Sequence, residues 1–314
     1  MSHAVLAVAL NPALDVTYRV DELRPGEVHR VNAHCVPGGK AVNVARTLEV
    51  LGHPVTVTGF VGGTNGEALR RMLLADYPDI DEQFVNIGDS TRRTMVVVNA
   101  AGVASGFWEE GPRVTVAEWE RLLARVADLA ATHPVTVVSG SLPREIPEDA
   151  YRLVVETAHS SGSHVVLDAS GSDLWCALGA NPELIKATEG ELVAAVEAAG
   201  LKAETTEEVF EALIRAGARA VVSTRGVDGI LAWTPTGRYR AAPSEVVSRG
   251  NSTGAGDAAA AAFARGIAEG YSWKAMIDDA LALSAATVAS EVAGSFADDL
   301  YRKLRGRARV DEVS

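Results

Sequence analysis

The sequence predicts an α/β protein in which helices cover a mainly parallel sheet and a small accessory β-sheet is attached. Short Val-rich runs alternate with helical patterns along most of the chain, and strands that alternate with helices pair in parallel. The buried strands are predicted at Val5–Leu10, Val55–Phe60, Val135–Ser139, His164–Asp168 and Ala220–Ser223. The clearest helices are predicted at Ala41–Leu51, Val116–Ala131 and Ala150–Ser160.

The accessory sheet is predicted from segments with period-two alternation or exposed aromatic residues. Its strands come from residues 12–36 and 92–110, at Val16–Val20, Val28–Val36, Thr94–Asn99 and Ala104–Trp108. Beyond Asn251 the pattern is almost wholly helical, with helices predicted at Ala255–Glu269, Ser272–Val292 and near Ala297–Leu304. No repeat or low-complexity linker interrupts the chain, so residues 1–314 are predicted to form one domain.

Composition excludes several classes of protein. No apolar run reaches the ~18 residues that span a bilayer, and the apolar start lacks a basic n-region, so we expect a cytoplasmic protein without a membrane partner. The formal net charge of −12 disfavours a nucleic-acid surface. Only Cys35 and Cys176 are present, which excludes a disulfide framework, and no zinc-ligand spacing accompanies them.

The strongest motif is Asn251–Asp257 (NSTGAGD), which precedes the small apolar run Ala258–Phe263. Its glycines let the backbone approach a ligand, and the N-terminus of the following helix favours an anion. No Lys-Ser/Thr pair follows, so this is not a Walker A loop. An acid beside an anion hole suits phosphoryl transfer to an alcohol. The alternative from the residues alone is a Gly-rich turn with Asp257 as a helix cap.

Together with this motif, the chain resembles the ribokinase-like (PfkB-type) carbohydrate kinases, and within them the 1-phosphofructokinase and tagatose-6-phosphate kinase subgroup. The matching segments are Asn11–Asp15, Pro37–Arg46 with Leu51-Gly52, Thr91-Arg92, Ser139–Pro143, Lys186–Glu191, Thr224–Gly226 with Asp228-Gly229, and Gly254–Asp257. The resemblance implies a three-layer sandwich with a mainly parallel central sheet and a small β-sheet lid. It also implies an enzyme that uses ATP and Mg²⁺.

The resemblance also implies roles for individual residues. Asp257 would be the catalytic base in a catalytic loop that includes Gly254, and the N–H groups of Ala255 and Gly256 would form the anion hole. Sugar and phosphate binding would fall to Asp15, Gly38, Gly39, Lys40, Asn43, Arg30, Arg92 and Ser141. ATP would contact Lys186, Thr188, Thr224, Gly226, Gly229 and Thr253, while Glu191 would organise Mg²⁺ through water. Thr188 stands where the family has Asn, so an amide donor is lost there.

The acceptor is expected to be a ketose phosphate, first fructose 1-phosphate, because the subgroup places a phosphate-clamping Arg at the position of Arg92. Tagatose 6-phosphate, fructose 6-phosphate and an unphosphorylated sugar, cyclitol or nucleoside remain alternatives, as does a non-catalytic regulator. Three departures bear on this choice: Ala41 replaces Gly, His29 stands where Asn is common, and Arg144-Glu145 replaces Pro-Gly. An apolar lid face, comprising Val16, Tyr18, Val20, Val31 and Cys35, predicts a homodimer through the lid.

Overall fold

The computed structural model describes residues 3–247, 252–290, 292 and 294–313, and the elements below lie within these. The strands are β1 (Val5–Ala9), β2 (Ala13–Arg19), β3 (Ala33–Gly38), β4 (Val55–Val61), β5 (Asp81–Glu82), β6 (Val85–Asn86), β7 (Arg92–Val98), β8 (Ala104–Trp108), β9 (Val135–Ser139), β10 (His164–Asp168), β11 (Leu184–Thr188), β12 (Val221–Thr224), β13 (Ile230–Thr234), β14 (Gly237–Ala242) and β15 (Arg309–Val313). The α-helices are α1 (Lys40–Val50), α2 (Gly63–Asp76), α3 (Val116–Ala130), α4 (Ala150–Ser160), α5 (Gly171–Leu178), α6 (Glu189–Ala198), α7 (Thr206–Arg215), α8 (Ala255–Glu269), α9 (Trp273–Val288) and α10 (Asp298–Leu304).

The central sheet has the order β15-β14-β13-β12-β11-β10-β9-β1-β4-β5, and β6 also pairs with β4. All pairs from β12 to β5 are parallel, whereas β13, β14 and β15 extend the sheet by antiparallel pairing. The prediction of a mainly parallel sheet is therefore confirmed. Parallel strands place their carboxyl ends along one edge, which is where ligands bind in open α/β sheets.

Two hydrophobic cores lie on the two faces of this sheet. In β1, Val5, Ala7 and Ala9 belong to one core, whereas Leu6 and Val8 belong to the other, because successive strand residues point to opposite faces. Helices α1, α2, α8, α9 and α10 supply the first core, and α3 to α7 supply the second. Helix, sheet and helix thus form the three predicted layers.

The accessory sheet has four strands in the order β3-β2-β7-β8. β2 pairs with β7 in parallel and with β3 antiparallel, so the sheet is mixed. Val36, Asp15, Thr94 and Trp108 lie opposite one another across it and share one face. We call this sheet the lid.

No bounds were predicted for β5, β6, β11, α2 or α5 to α7. Three other parts of the chain differ from the predicted elements. The last segment ends in strand β15 rather than continuing as helix, and the β13–β14 hairpin was not predicted. β15 is almost wholly exposed and mostly polar. Because it has no buried face, its sequence lacks the alternation of apolar and polar residues that predicts a strand. The third difference is in the lid, where β3 begins at Ala33 rather than Val28, which leaves Arg30 in the connection before the strand. Among the described residues, no helix is long and apolar enough to cross a membrane.

Candidate active site

The predicted catalytic segment forms the beginning of α8, although Asn251 lies outside the described residues. Gly254 is the N-cap residue with φ 90°, and a Cβ there would lie 2.7 Å from the Cα of Gly294. Only glycine accommodates both the left-handed conformation and this close approach. Asp257 follows in the first helical turn and is 6% exposed. The segment therefore places a buried carboxylate in the first turn of a helix, where the N–H groups lack intrahelical acceptors.

The packing of α8 determines the position of Asp257. Six alanines and Phe263 form the buried run from Ala258 to Ala264, and the helix lies against α1 and α9 and over β1, β9 and β10. Such small side chains allow a helix to approach its neighbours closely. One predicted anion-hole donor is occupied, because the N–H of Ala255 donates to the Ser252 carbonyl at 3.2 Å. An anion at this site would have to replace that bond.

Asp257 accepts a hydrogen bond of 2.8 Å from Asn43 Nδ2 of α1. Burial raises the pKa of Asp257 to about 6, and the charge of Asp168 acts in the same direction. The Asn43 hydrogen bond and the charges of Lys186 and Lys40 oppose this rise. A base with a pKa near 6 is mostly ionised at neutral pH and can still accept a proton effectively.

Asp168, at the end of β10, lies between two lysines. Its carboxylate is 2.8 Å from Lys186 Nζ and 3.1 Å from Lys40 Nζ. Burial alone would raise the pKa of Asp168, but Lys186 and then Lys40 outweigh it and lower that pKa. Lys186 Nζ also donates to the Gly256 carbonyl at 3.1 Å, which joins this pair to the start of α8.

Sequence reasoning did not select Asp168 as a site residue. The only signal was its place at the end of a buried strand, the position at which ligand-binding residues concentrate in α/β sheets. Its two cationic partners come from α1 and β11, which are distant in sequence. The contacts of Lys40 and Lys186 with Asp168 form only in the folded chain, so the sequence alone did not indicate them.

Thr188 and Glu191 form a capping box at the start of α6. Glu191 Oε2 accepts from the Thr188 hydroxyl at 2.7 Å and from its N–H at 2.8 Å, while the Glu191 N–H donates to Thr188 Oγ1 at 3.3 Å. Thr188, the departure from the family Asn, is thus the N-cap residue. The other carboxylate oxygen of Glu191 lies 3.9 Å from Lys40 Nζ, and a third of the Glu191 side chain is exposed. This oxygen therefore remains available to water.

Asp15 projects from the lid close to Gly38. A Cβ at Gly38 would lie 2.0 Å from the Asp15 carboxylate, so any larger residue would displace that carboxylate. Thr94 Oγ1 donates to Asp15, and burial raises the pKa of Asp15 while Thr94, Arg46 and Arg92 lower it. Two of the predicted sugar-binding residues, Asp15 and Gly38, are therefore in direct contact.

Arg92 begins β7 beside the same part of the lid. Its Nε donates to the Asn11 carbonyl at 3.3 Å, and its charge lowers the pKa of Asp15. Asn11 Nδ2 donates in turn to Ser141 Oγ at 3.0 Å, which connects the segment between β1 and the lid strand β2 to the loop after β9. Arg92 and Ser141, two of the predicted substrate-binding residues, are thus both hydrogen-bonded to Asn11.

The predicted ATP-binding residues lie on the neighbouring strands. Thr188 and Thr224 are opposite one another at the carboxyl ends of β11 and β12. Gly226 and Gly229 bound the short 3₁₀ turn that follows β12. Thr253 and Gly39 are the residues next to the N-terminal turns of α8 and α1. Within the described part of the chain, no polar contact joins exposed Arg30 to any of these groups.

Comparison with known proteins gives a family. A profile of the pfkB family carbohydrate kinases matches residues 6–299. The chain is similar to Escherichia coli phosphofructokinase-2 in its tetrameric inhibited form, at 27% identity and a TM-score of 0.86 over 97% of this chain and 98% of that one. The complex of the same enzyme with fructose-6-phosphate matches at 26% identity and a TM-score of 0.85, with the same coverage.

A possible 1-phosphofructokinase from Thermotoga maritima matches at 24% identity and a TM-score of 0.87, over 99% of this chain and 100% of that one, and this likeness shows the fold alone. The family profile extends over nearly all the elements that build the site, from β1 to α10. The family predicted from the motifs is confirmed: this chain belongs to the pfkB family of carbohydrate kinases and is a sugar kinase.

Proposed function

We propose that this sugar kinase transfers the γ-phosphoryl group of ATP to a hydroxyl of a ketose phosphate, with fructose 1-phosphate as the first choice. The observation that carries the proposal is Asp257, a buried carboxylate at the N-terminus of α8 with two lysines nearby. Asp257 takes the proton of the attacking hydroxyl, while Lys186, Lys40 and the first-turn N–H groups of α8 stabilise the transferring oxygens. Asp15 and Asn43 orient the sugar hydroxyls.

Mg²⁺ belongs to this proposal, because it neutralises charge on the transferring phosphates when bound. The available Glu191 oxygen would hold it through water, which fits a cation that keeps part of its hydration shell. The capping box would keep the Glu191 carboxylate in place for that task.

Glu191→Gln tests this role separately from folding. Glutamine also closes a capping box, so the melting temperature should stay near the wild-type value. Loss of the charge should raise the Mg²⁺ concentration for half-maximal rate by ~10–100-fold. A Mg²⁺ titration of initial rates at saturating ATP and sugar measures this. An unchanged titration would remove Glu191 from the proposed metal site.

The phosphate on the acceptor is the finer part of the proposal. Arg92 supports it, since this cation lies beside Asp15, the residue proposed to bind the sugar, and a planar guanidinium can hold a phosphate with two hydrogen bonds. The E. coli relative solved with fructose-6-phosphate favours that acceptor as a second candidate. An initial-rate panel of phosphorylated and unphosphorylated sugars distinguishes them.

Arg92→Ala should raise KM for the sugar phosphate at least ~10-fold, because a hydrogen bond to a charged group contributes about 1.5–3 kcal/mol. KM for ATP should change little. Arg93→Ala is the matched control: Arg93 points to the other face of the lid and pairs with Glu109 at the surface. Equal effects of both substitutions, or a preference for an unphosphorylated sugar that Arg92→Ala leaves unchanged, would contradict the phosphate clamp.

We further propose a cytoplasmic homodimer joined through the lid. Val16, in the face expected to pair, is already buried within the chain, whereas Phe107 and Trp108 on the edge strand β8 are 52% and 72% exposed. Exposed aromatic residues on a sheet edge are typical of an interface. Sedimentation velocity should give a dimer that Phe107→Asp converts to monomer, since Phe107 lies on the same lid face as Val16. A monomer at every wild-type concentration would refute the dimer.

A further inference from the structure

Arg46, on α1, is a buried cation close to the site, with 2% of its surface exposed. Within the described part of the chain, no carboxylate lies within 4.0 Å of its guanidinium, so it forms no ion pair there. Its charge is balanced only indirectly: it lowers the pKa of Asp15, and its guanidinium lies 5.0 Å from the centre of the Tyr77 ring. Burying a charge without a direct ion pair is costly. The arrangement of its hydrogen bonds therefore requires a reason.

The guanidinium of Arg46 connects three segments around the catalytic base. Nη1 donates to Asn43 Oδ1 at 3.0 Å and to the Pro37 carbonyl at 3.1 Å, and Nη2 donates to Ser295 Oγ at 3.2 Å. Gly294 covers this group closely, since a Cβ there would lie 2.6 Å from Asn43 Oδ1. Asn43 and Arg46 are three residues apart on one helix face, so this contact is built into α1.

The two ends of the Asn43 amide have opposite chemistry, and Arg46 can only donate. Asn43 Oδ1 must therefore face Arg46, which leaves Nδ2 to face Asp257, where it donates at 2.8 Å. We propose that Arg46 is a positioning residue: it fixes the amide orientation of Asn43 and through it the hydrogen bond that the catalytic base receives. Without this constraint, the flipped amide would place an oxygen against the Asp257 carboxylate.

The effect of Arg46 on the pKa of Asp257 can be distinguished from the effects of the other groups that face this carboxylate. These are Asp168 from β10, Lys186 from β11, and Lys40 and Asn43 from α1. Of the four, only Asn43 contacts Arg46. Because the Asn43 hydrogen bond favours the ionised carboxylate, its loss should make Asp257 harder to ionise.

The test is the pH titration of the Asp257 carboxyl by ¹³C NMR in unliganded protein labelled at aspartate, with Asp257→Asn used to assign the signal. Arg46→Met should move the midpoint upward by about one pH unit. Arg46→Lys keeps a donor and should restore the wild-type midpoint. Ser295→Ala removes a different bond of Arg46 and should leave the midpoint unchanged.

A double substitution distinguishes the amide from a direct effect of the Arg46 charge. In an Asn43→Ala background, Arg46→Met should add no further shift. A shift of equal size in that background, or no shift in Arg46→Met alone, would overturn the proposal. If Arg46→Met does not fold, Arg46→Gln replaces it, since glutamine can donate or accept and does not impose the orientation; the same upward shift is expected.

The kinetic part of the test rests on the proposed function. With an accepted sugar, the acid side of the kcat profile should shift upward in Arg46→Met by the same amount as the NMR midpoint. If no sugar is phosphorylated but Asp257 titrates as described, the proposed function fails and the inference about Arg46 stands.

Discussion

Asp257→Asn should lower kcat by ~10²–10⁴-fold with every acceptor, the usual effect of removing a general base. The amide keeps the size of the carboxylate but takes up no proton from the sugar hydroxyl. Folding and ATP binding should persist, because both neighbouring lysines retain Asp168 as partner. Single-turnover measurements and ATP titration by calorimetry check these two expectations. If Asp257→Asn kept more than about a tenth of the wild-type kcat, the loss would be too small for a general base, and the role of Asp257 would be refuted.

The wild-type enzyme provides the matching pH test. Since the pKa of Asp257 is raised to about 6, kcat should fall as the pH decreases through about 6, where the base becomes protonated. The small activity left in Asp257→Asn should lack this acid limb. The same limb in both proteins would assign the titration to another group.

Asp168→Asn should lower the free energy of unfolding by about 3–5 kcal/mol, because it leaves the buried ammonium of Lys186 without its carboxylate. Urea denaturation measures this. Asp298→Asn is the control: Asp298 pairs with Arg302 on the surface, so its loss should change stability little. A small, equal effect of both substitutions would show that the buried pair does not stabilise the fold.

The same substitution also has a pH signature. The charge of Asp168 raises the pKa of Asp257, so Asp168→Asn should move the acid limb of kcat to lower pH. The pH dependence of stability, by contrast, comes from Asp168 itself. Because folding lowers the pKa of Asp168, its contribution to stability is fully present above its ordinary pKa of 3.8 and is lost as the pH falls through the lower pKa of the folded state. An acid limb displaced upward would contradict this electrostatic arrangement.

Most buried strands of the parallel sheet, though not β11, and the catalytic helix could be predicted, because the interactions that form them are local in sequence. β9, β10 and α8 have their predicted bounds, since buried Val-rich runs and a Gly-rich start followed by small apolar residues are distinctive patterns. The remaining site residues were predicted from the resemblance to the family, and their roles stay predictions. Asp168 and the function of Arg46 were not predictable, because each depends on partners brought together only by the folded chain.

The alanine run of α8 has a consequence for how this enzyme can change over generations. Each of these side chains already lies in full contact with its neighbours, so a larger residue would push the whole helix, and Asp257 with it, away from α1. Substitutions to larger residues in this helix would therefore lower activity, because they displace Asp257. Variation in acceptor choice can instead accumulate in the lid, whose outer strand β8 is largely exposed and pairs with β7.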